Sequence, residues 1–497
     1  MSEAGGHSLE GLAADACGLR KLLEAAELTI ASQAEQIASQ AELIDELRRK
    51  IAEFEKRLGK NSSNSSLPPS SDRFGKPAKT ESPNRKARRA LGRKPGKQPG
   101  AEGKHLAQVE NPDVVVTHTP GCCDDCGGDL AGSPVDGIEI RQVFDLPDPA
   151  PLRSTEHRAE SRRCRCGTVT KAQFPPEARS YACYGKNIRA AALYLMSYHH
   201  QPTERTQIAL RDLYGVTVST GFLDQVFTEA AAQLGDFMAA VLDALLDADV
   251  VHVDETFDFV GTDKIWFHVA CNELYTLLHA DVTRGKDGTE RTGLFPDFEG
   301  VAVHDRLVQY FGYDKSRHAV CGAHLLRDLA SVAVVASQEP WAAAMTALLI
   351  EMKHCGEKVR SAGGDRIDEK TLAVFSDRYD NIVEEAFSAN PEPPRWRARD
   401  YLEKESFNLA VALRDRKDDI VRFATDLRVP FTNNRAETDV RMLKLHSKIS
   451  GPFRAMHGAE RFASVRSYIQ TAMKHGLAPM AVLAQLFSGG AWIPQRT

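Results

Sequence analysis

VHVDETFDFVGTDKIWFHVA, residues 251–270, sets one acid into an apolar, β-branched run and then begins a second run of the same kind. Composition and alternation make each run a strand, and Gly261-Thr262-Asp263 makes the turn between them. Asp254 follows Val251 and Val253 on a strand that should be buried. A buried carboxylate is costly unless a cation or hydrogen bonds compensate it. Asp254 therefore needs a partner.

Outward from this hairpin, YTLLHADVT reads as a third strand and GVAVHDRLVQYF as a fourth, with Asp305 just past Val301, Ala302 and Val303. HAVCGAH reads as a fifth strand, running into a helix that starts near Leu325. An antiparallel three-strand start followed by β-α units predicts a mixed sheet with helices around it, as in the ribonuclease-H architecture. There the end of the fourth strand lies beside the middle of the first, so Asp254 faces Asp305. Two close carboxylates repel, and one would protonate without a divalent cation between them. Magnesium (or manganese) takes oxygen ligands and suits such a pair. A two-metal site stabilises the attacking and leaving oxygens of an in-line phosphoryl displacement.

A third acid comes from PFTNNRAETDVRMLKLHSKIS, residues 430–450. Asn433 or Asn434 can cap a helix there. Ala436, Val440 and Leu443 form its buried stripe, and Glu437, Arg441, Lys444 and Lys448 form the stripe beside it. That helix offers a metal ligand at one end and phosphate contacts beyond it. Among the other acids, Glu255 is expected on the opposite face of its strand. Asp258 shares the parity of Asp254 but lies toward the turn, and Asp249 and Asp281 are expected at the surface.

The whole chain of 497 residues is 42% hydrophobic and 26% charged, with a net charge of −5. That is an ordinary soluble composition with room for several domains, and it argues against a polyanion binder overall. No apolar run approaches the roughly 18 residues of a membrane helix, so no membrane partner is expected. MSEAGGHSLEGL lacks the basic and apolar parts of a signal peptide. A cytoplasmic protein, nucleoid-associated when on DNA, is expected, with its ten cysteines reduced or bound to metal.

Ahead of the sheet the character changes several times. Leu23, Ile30, Ile37, Ile44, Ile51 and Leu58 recur every seven residues, which predicts a coiled coil over 19–58 and self-association through it. Residues 59–105 form a Pro/Gly/Ser-rich linker arm. Within it, eleven Lys and Arg, among them Arg85, Lys86, Arg88, Arg89, Arg93 and Lys94, stand against two Glu over 73–104. Such an arm contacts phosphates with little sequence information. GCCDDCGG and RRCRCG bring Cys123 and Cys126, then Cys164 and Cys166, into a module over 115–175; four thiolates suit tetrahedral zinc. Residues 184–245 read as helical. A helix through Leu213, a turn at Gly215 and a Ser219 cap before a second helix have helix-turn-helix spacing.

The catalytic sheet is expected over 246–330 and 426–475, interrupted by a helical insertion at 331–425 and followed by a tail, 476–497. Cys321, His324, His354 and Cys355 could form another metal site, although Cys321 and His324 are expected to pack at the strand-to-helix junction.

HVDET, the HDR of the fourth strand, CGAHLLRDL, TNNRAE and KISGPFR together resemble the DDE transposases of the insertion sequence 66 family. The resemblance extends over roughly residues 19–490 and includes the coiled coil, the KNSSNSS linker and the zinc module. It implies Asp254, Asp305 and Glu437 as a catalytic triad. It also implies DNA partners (terminal inverted repeats and target DNA) and small accessory proteins encoded nearby.

The expected activity is cleavage of the element ends and joining of their 3′-hydroxyls to target DNA. A stand-alone ribonuclease-H-like nuclease would share the triad without needing the front end. A catalytically silent, transposase-derived regulator would need only the front end. Inverted repeats beside the gene separate the first reading from the others.

Deleting residues 73–104 should flatten the slope of log K against log salt for DNA binding, because fewer counterions are released. An unchanged slope returns the arm to being a spacer.

Overall fold

Residues 33–40, 43–44, 108–144, 152–335, 337–391 and 401–495 are described in the computed structural model. Residues 33–40 and 43–44 are helical, and Ile37 and Ile44 are exposed there. The rest of the heptad segment and the whole basic arm, Arg85 to Lys94 included, lie outside the described residues. From residue 108 the described chain forms two compact units. Residues 159–206 and 219–495 make the larger, and residues 108–158 and 207–218 the smaller.

In the larger unit Ser161–Arg163 (β1) and Val169–Lys171 (β2) form a short antiparallel hairpin. Helices follow along the chain at Lys186–Leu193 (α1), Thr203–Tyr214 (α2, of which residues 207–214 belong to the smaller unit), Thr220–Ala232 (α3) and Gly235–Leu246 (α4), with a π turn at Tyr194–Tyr198. Ser219 caps α3 as its position implies, its hydroxyl accepting from the Phe222 amide at 3.1 Å.

The long β-branched runs then form a five-stranded mixed sheet. Its strands are Val250–Val260 (β3), Asp263–Cys271 (β4), Thr276–Asp281 (β5), Val301–His304 (β6) and Arg317–Val320 (β7), with a short helix Lys286–Glu290 (α5) before β6. Their spatial order is β5-β4-β3-β6-β7. β3 to β5 are antiparallel, whereas β6 lies parallel to both β3 and β7.

Gly322–Val332 (α6) follows β7 directly, so the helix starts three residues before Leu325. Glu339–Ser361 (α7), Glu369–Ala389 (α8), Tyr401–Asp415 (α9) and Lys417–Thr425 (α10) lie in the stretch read as a helical insertion. The chain returns through Asn434–Ser450 (α11), Met456–Lys474 (α12) and Pro479–Gly489 (α13).

Two apolar clusters hold these layers. Val301 and Val303 of β6 and Ala319 and Val320 of β7 pack with α6 and with the insertion, where Trp341 and Tyr379 are fully buried. Ile265, Phe267 and Val269 of β4 pack with Ala436, Val440 and Leu443 of α11, the stripe predicted for that helix, and with Phe462 of α12. The edge strand β5 is closed by α12. Thr471 and Ser467 hydroxyls accept from the amides of Thr276 and Leu278 at 3.0 and 2.9 Å, which satisfies donors that would otherwise invite another strand.

Asp281 departs from expectation. It is 5% exposed, not a surface acid, because Arg291 grips both its oxygens at 2.6 and 2.8 Å. Asp249 does lie exposed, beside Arg428.

Candidate active site

The parallel ladder sets the first two acids. Val250, Val251 and His252 pair with Val301, Ala302 and Val303. Two further steps along that register bring Asp254 level with Asp305, immediately past the end of β6. Burial, then Glu255 and Asp305, push the Asp254 carboxyl well above its ordinary range, and Glu437 adds to this. Burial, then Glu255, raises Asp305 to about 6, against the Leu307 amide, Arg284 and Arg306. Like charges crowded in a low-dielectric place account for both shifts.

Glu255 is the acid whose importance the sequence conceals. One of its oxygens takes Arg284 at 2.8 and 3.0 Å, and the other accepts from the Tyr310 hydroxyl at 2.6 Å. It is thus fully satisfied, yet its charge still bears on both Asp254 and Asp305. Asp258 sits farther along β3, where the Ser447 hydroxyl donates to it at 2.9 Å, and takes no part in this cluster.

Glu437 lies in the first turn of α11. The helix is positioned by Asn433, which occupies the cap position without capping. Its side chain instead donates to the Val253 carbonyl at 2.8 Å and accepts from His252 Nδ1 at 2.9 Å, while its own amide donates to Cys321 Sγ at 3.2 Å. One residue therefore ties the start of α11 to β3, a single residue before Asp254, and to the end of β7. Glu437 Oε1 is buried with no hydrogen-bond partner, and Oε2 lies 3.7 Å from Arg441.

The three acids converge without closing up. Among the described residues, the group whose ligating atoms all lie within 4.8 Å of one another is Cys321, His324 and Glu437. Cys321 and His324 do sit at the strand-to-helix junction, but they face the third acid there. His354 and Cys355 are not in that group. Burial, then Arg327 and Arg306, lower His324 to about 4, so it faces Glu437 as a neutral ring.

Of the cations on α11, Arg441 and Lys448 are exposed. Lys444 is engaged locally: it donates to the Phe257 carbonyl and stands 3.5 Å from the centre of that ring.

The cysteine pairs form two similar turns. Gly127 donates to the Cys123 carbonyl and Gly167 to the Cys164 carbonyl, each at 2.9 Å. Both glycines have positive φ, which lets the chain fold back immediately after the second cysteine. The amides of Cys126 and Asp125 lower the Cys123 thiol, and Thr168 lowers Cys166 to about 7. Thiols held this way are suited to bind zinc as thiolates.

Against known families, residues 182–461 match the model of the Transposase IS66 family, and residues 120–167 match the zinc-finger binding domain of transposase IS66. Residues 20–107 match a family of unknown function. No curated protein matches the chain. A sheet of this topology joined to a zinc-finger segment is thus that of a DNA-binding transposase. The chain belongs to the Transposase IS66 family, whose model spans more than half of it. Among the described residues, no helix is long and apolar enough to cross a membrane.

Two outcomes follow from this geometry. Asn433→Ala leaves the Val253 carbonyl and His252 Nδ1 unpaired, and should cost about 1–3 kcal/mol per buried group; denaturant unfolding measures it, and a wild-type midpoint contradicts the clamp. The second concerns pH. With divalent cations absent, the folded chain keeps a proton on Asp305 between about pH 4, the ordinary aspartate value, and about pH 6. The unfolded chain has lost that proton, so stability falls as pH rises through this window. Asp305→Asn should flatten the fall. A thermal-unfolding series in metal-free buffer checks it, and a wild-type slope in the variant rejects the assignment.

Proposed function

We propose that this chain cleaves the ends of an insertion sequence and joins the freed 3′-hydroxyls to target DNA by metal-dependent phosphoryl transfer, with Asp254, Asp305 and Glu437 as its triad. We read the sheet accordingly as ribonuclease-H-like. The observation that carries the proposal is the convergence of one acid on β3, a second just past the end of the parallel strand β6, and a third on a helix locked to β3. Raised carboxyls at Asp254 and Asp305 and an unpartnered Glu437 oxygen fit a site built to receive cations. When bound, magnesium or manganese stabilises the attacking and leaving oxygens of the displacement.

The chain's own residues do the rest. Tyr310 and Arg284 fix Glu255, which keeps the rim of the site in one arrangement. Arg441 and Lys448, exposed along α11 beyond Glu437, extend toward backbone phosphates, and residues 73–104 add contacts without sequence preference. Lys444 serves this surface by bracing Phe257. Cys123, Cys126, Cys164 and Cys166 hold one structural zinc. The heptad helix pairs two chains so that two element ends are held together, and accessory proteins of the same element act alongside.

Asp254→Asn, Asp305→Asn and Glu437→Gln each keep the shape of a ligand and lose its charge. Each should reduce strand transfer of labelled ends to background while binding of those ends survives. A wild-type rate in any one variant removes that residue from the triad.

A further inference from the structure

The triad does not use every ligand gathered around Glu437. Cys321 Sγ, a nitrogen of His324 and a carboxylate oxygen of Glu437 all lie within 4.8 Å of one another. His324 Nδ1 and Glu437 Oε1 are both buried without a hydrogen-bond partner, and they stand 3.7 Å apart. That separation is too long for a hydrogen bond. Two unpaired buried polar atoms beside one another are a costly arrangement unless something binds between them. Zinc–nitrogen and zinc–oxygen bonds of about 2.1 Å at a tetrahedral angle set such ligands about 3.4 Å apart. The observed gap is within a few tenths of an ångström of that.

Cys321 supplies the third donor by position. It precedes the first residue of α6, an eleven-residue helix, and accepts from the Asn433 amide at 3.2 Å. Burial raises the Cys321 thiol above its ordinary range, against the amides of Asn433, His324 and Ala323, so a bound metal must itself displace the proton. This donor set is unsuited to magnesium, which requires oxygen ligands. Thiolate with imidazole selects softer ions.

We propose that Cys321, His324 and Glu437 form a binding site for a thiophilic divalent cation, zinc above all, and that its occupancy withdraws Glu437 from the magnesium triad. The site stands on the three side chains alone; its effect on catalysis rests on the transposition reading above. Three protein ligands leave a fourth position open, and Cys321 has no place in the proposed phosphoryl-transfer machinery. Free zinc would therefore act as a switch that competes with magnesium for one shared carboxylate.

Cobalt is the probe. The full chain, purified with its zinc-finger cysteines loaded with zinc, is titrated with Co2+ in millimolar Mg2+. One further equivalent should bind, with a thiolate-to-cobalt charge-transfer band. Cys321→Ala should abolish the band, and His324→Ala should weaken binding about tenfold or more. Cys123→Ser/Cys126→Ser should keep it, which excludes exchange at the zinc finger. No extra equivalent in the wild type, or an undiminished band in Cys321→Ala, overturns the site. If Cys321→Ala does not fold, His324→Ala and the wild-type stoichiometry decide. In a second arm, micromolar Zn2+ is added to Mg2+-supported strand transfer, and each variant is compared with its own zinc-free rate. Inhibition should be strong in the wild type and lost in His324→Ala. Cobalt binding without zinc inhibition overturns the withdrawal of Glu437. Absence of any strand transfer overturns the transposition reading and leaves the titration intact.

Discussion

The Asn433 side chain is the joint on which the site depends. An N-cap asparagine ordinarily spends its oxygen on its own helix. Here the oxygen goes to His252 and the amide to the Val253 carbonyl, both on β3 and both just before Asp254. A buried amide meets these demands in one geometry only, since each bond it lost would leave a polar group stranded. The spacing from Asn433 to Glu437 is one helical turn, so fixing the first fixes the second. Register on one side and a clamp on the other hence define the positions of all three acids.

The same crowding makes the site unstable as a set of bare charges. Asp254 and Asp305 are raised by burial and by their neighbours, and Glu255 contributes to both shifts even though Arg284 and Tyr310 satisfy it. A structural reason for keeping Glu255 is that it anchors Arg284, whose positive charge lowers Asp305. The negative charge of the cluster is thus partly neutralised by Arg284. Desolvated carboxyls crowded in this way, with raised proton affinity, are common at functional sites.

Much of this was legible because the β-branched runs are long and the acids fall at chosen points on them. Val251 and Val253 flag Asp254, and Val301 to Val303 flag Asp305. The stripe of Ala436, Val440 and Leu443 gives the face of α11 and so the direction of Glu437. Local pattern could not reveal partners distant in sequence. Asp281 looked like a strand-edge surface acid until Arg291, ten residues on, closed over it. Asn433 looked like a cap, and its true bonds span about 180 residues. Sequence alone groups Cys321 and His324 with His354 and Cys355, whereas the side chain that meets them in space, Glu437, lies more than a hundred residues away.

That distance raises the question of how an insertion of four helices can sit between β7 and α11 without disturbing the acids. The answer lies at its two ends. The Gly322 amide donates to the Phe431 carbonyl at 2.8 Å, and the Asn433 amide donates to Cys321 Sγ. A Cβ on Gly322 would come within 2.3 Å of the Phe431 ring, so the close approach of these two segments requires glycine. The start of α6 and the end of the insertion are therefore stitched to one another directly. Loop-closure entropy grows only slowly with length, so the insertion can be long; around Trp341 and Tyr379 it shares one core with β6, β7 and α6, and the stitch helps fix where the chain re-enters the site. The contacts that position Glu437 are made by the stitch and by Asn433. Changes within α8 or α9 can also reach β6 and β7 through the core that they share.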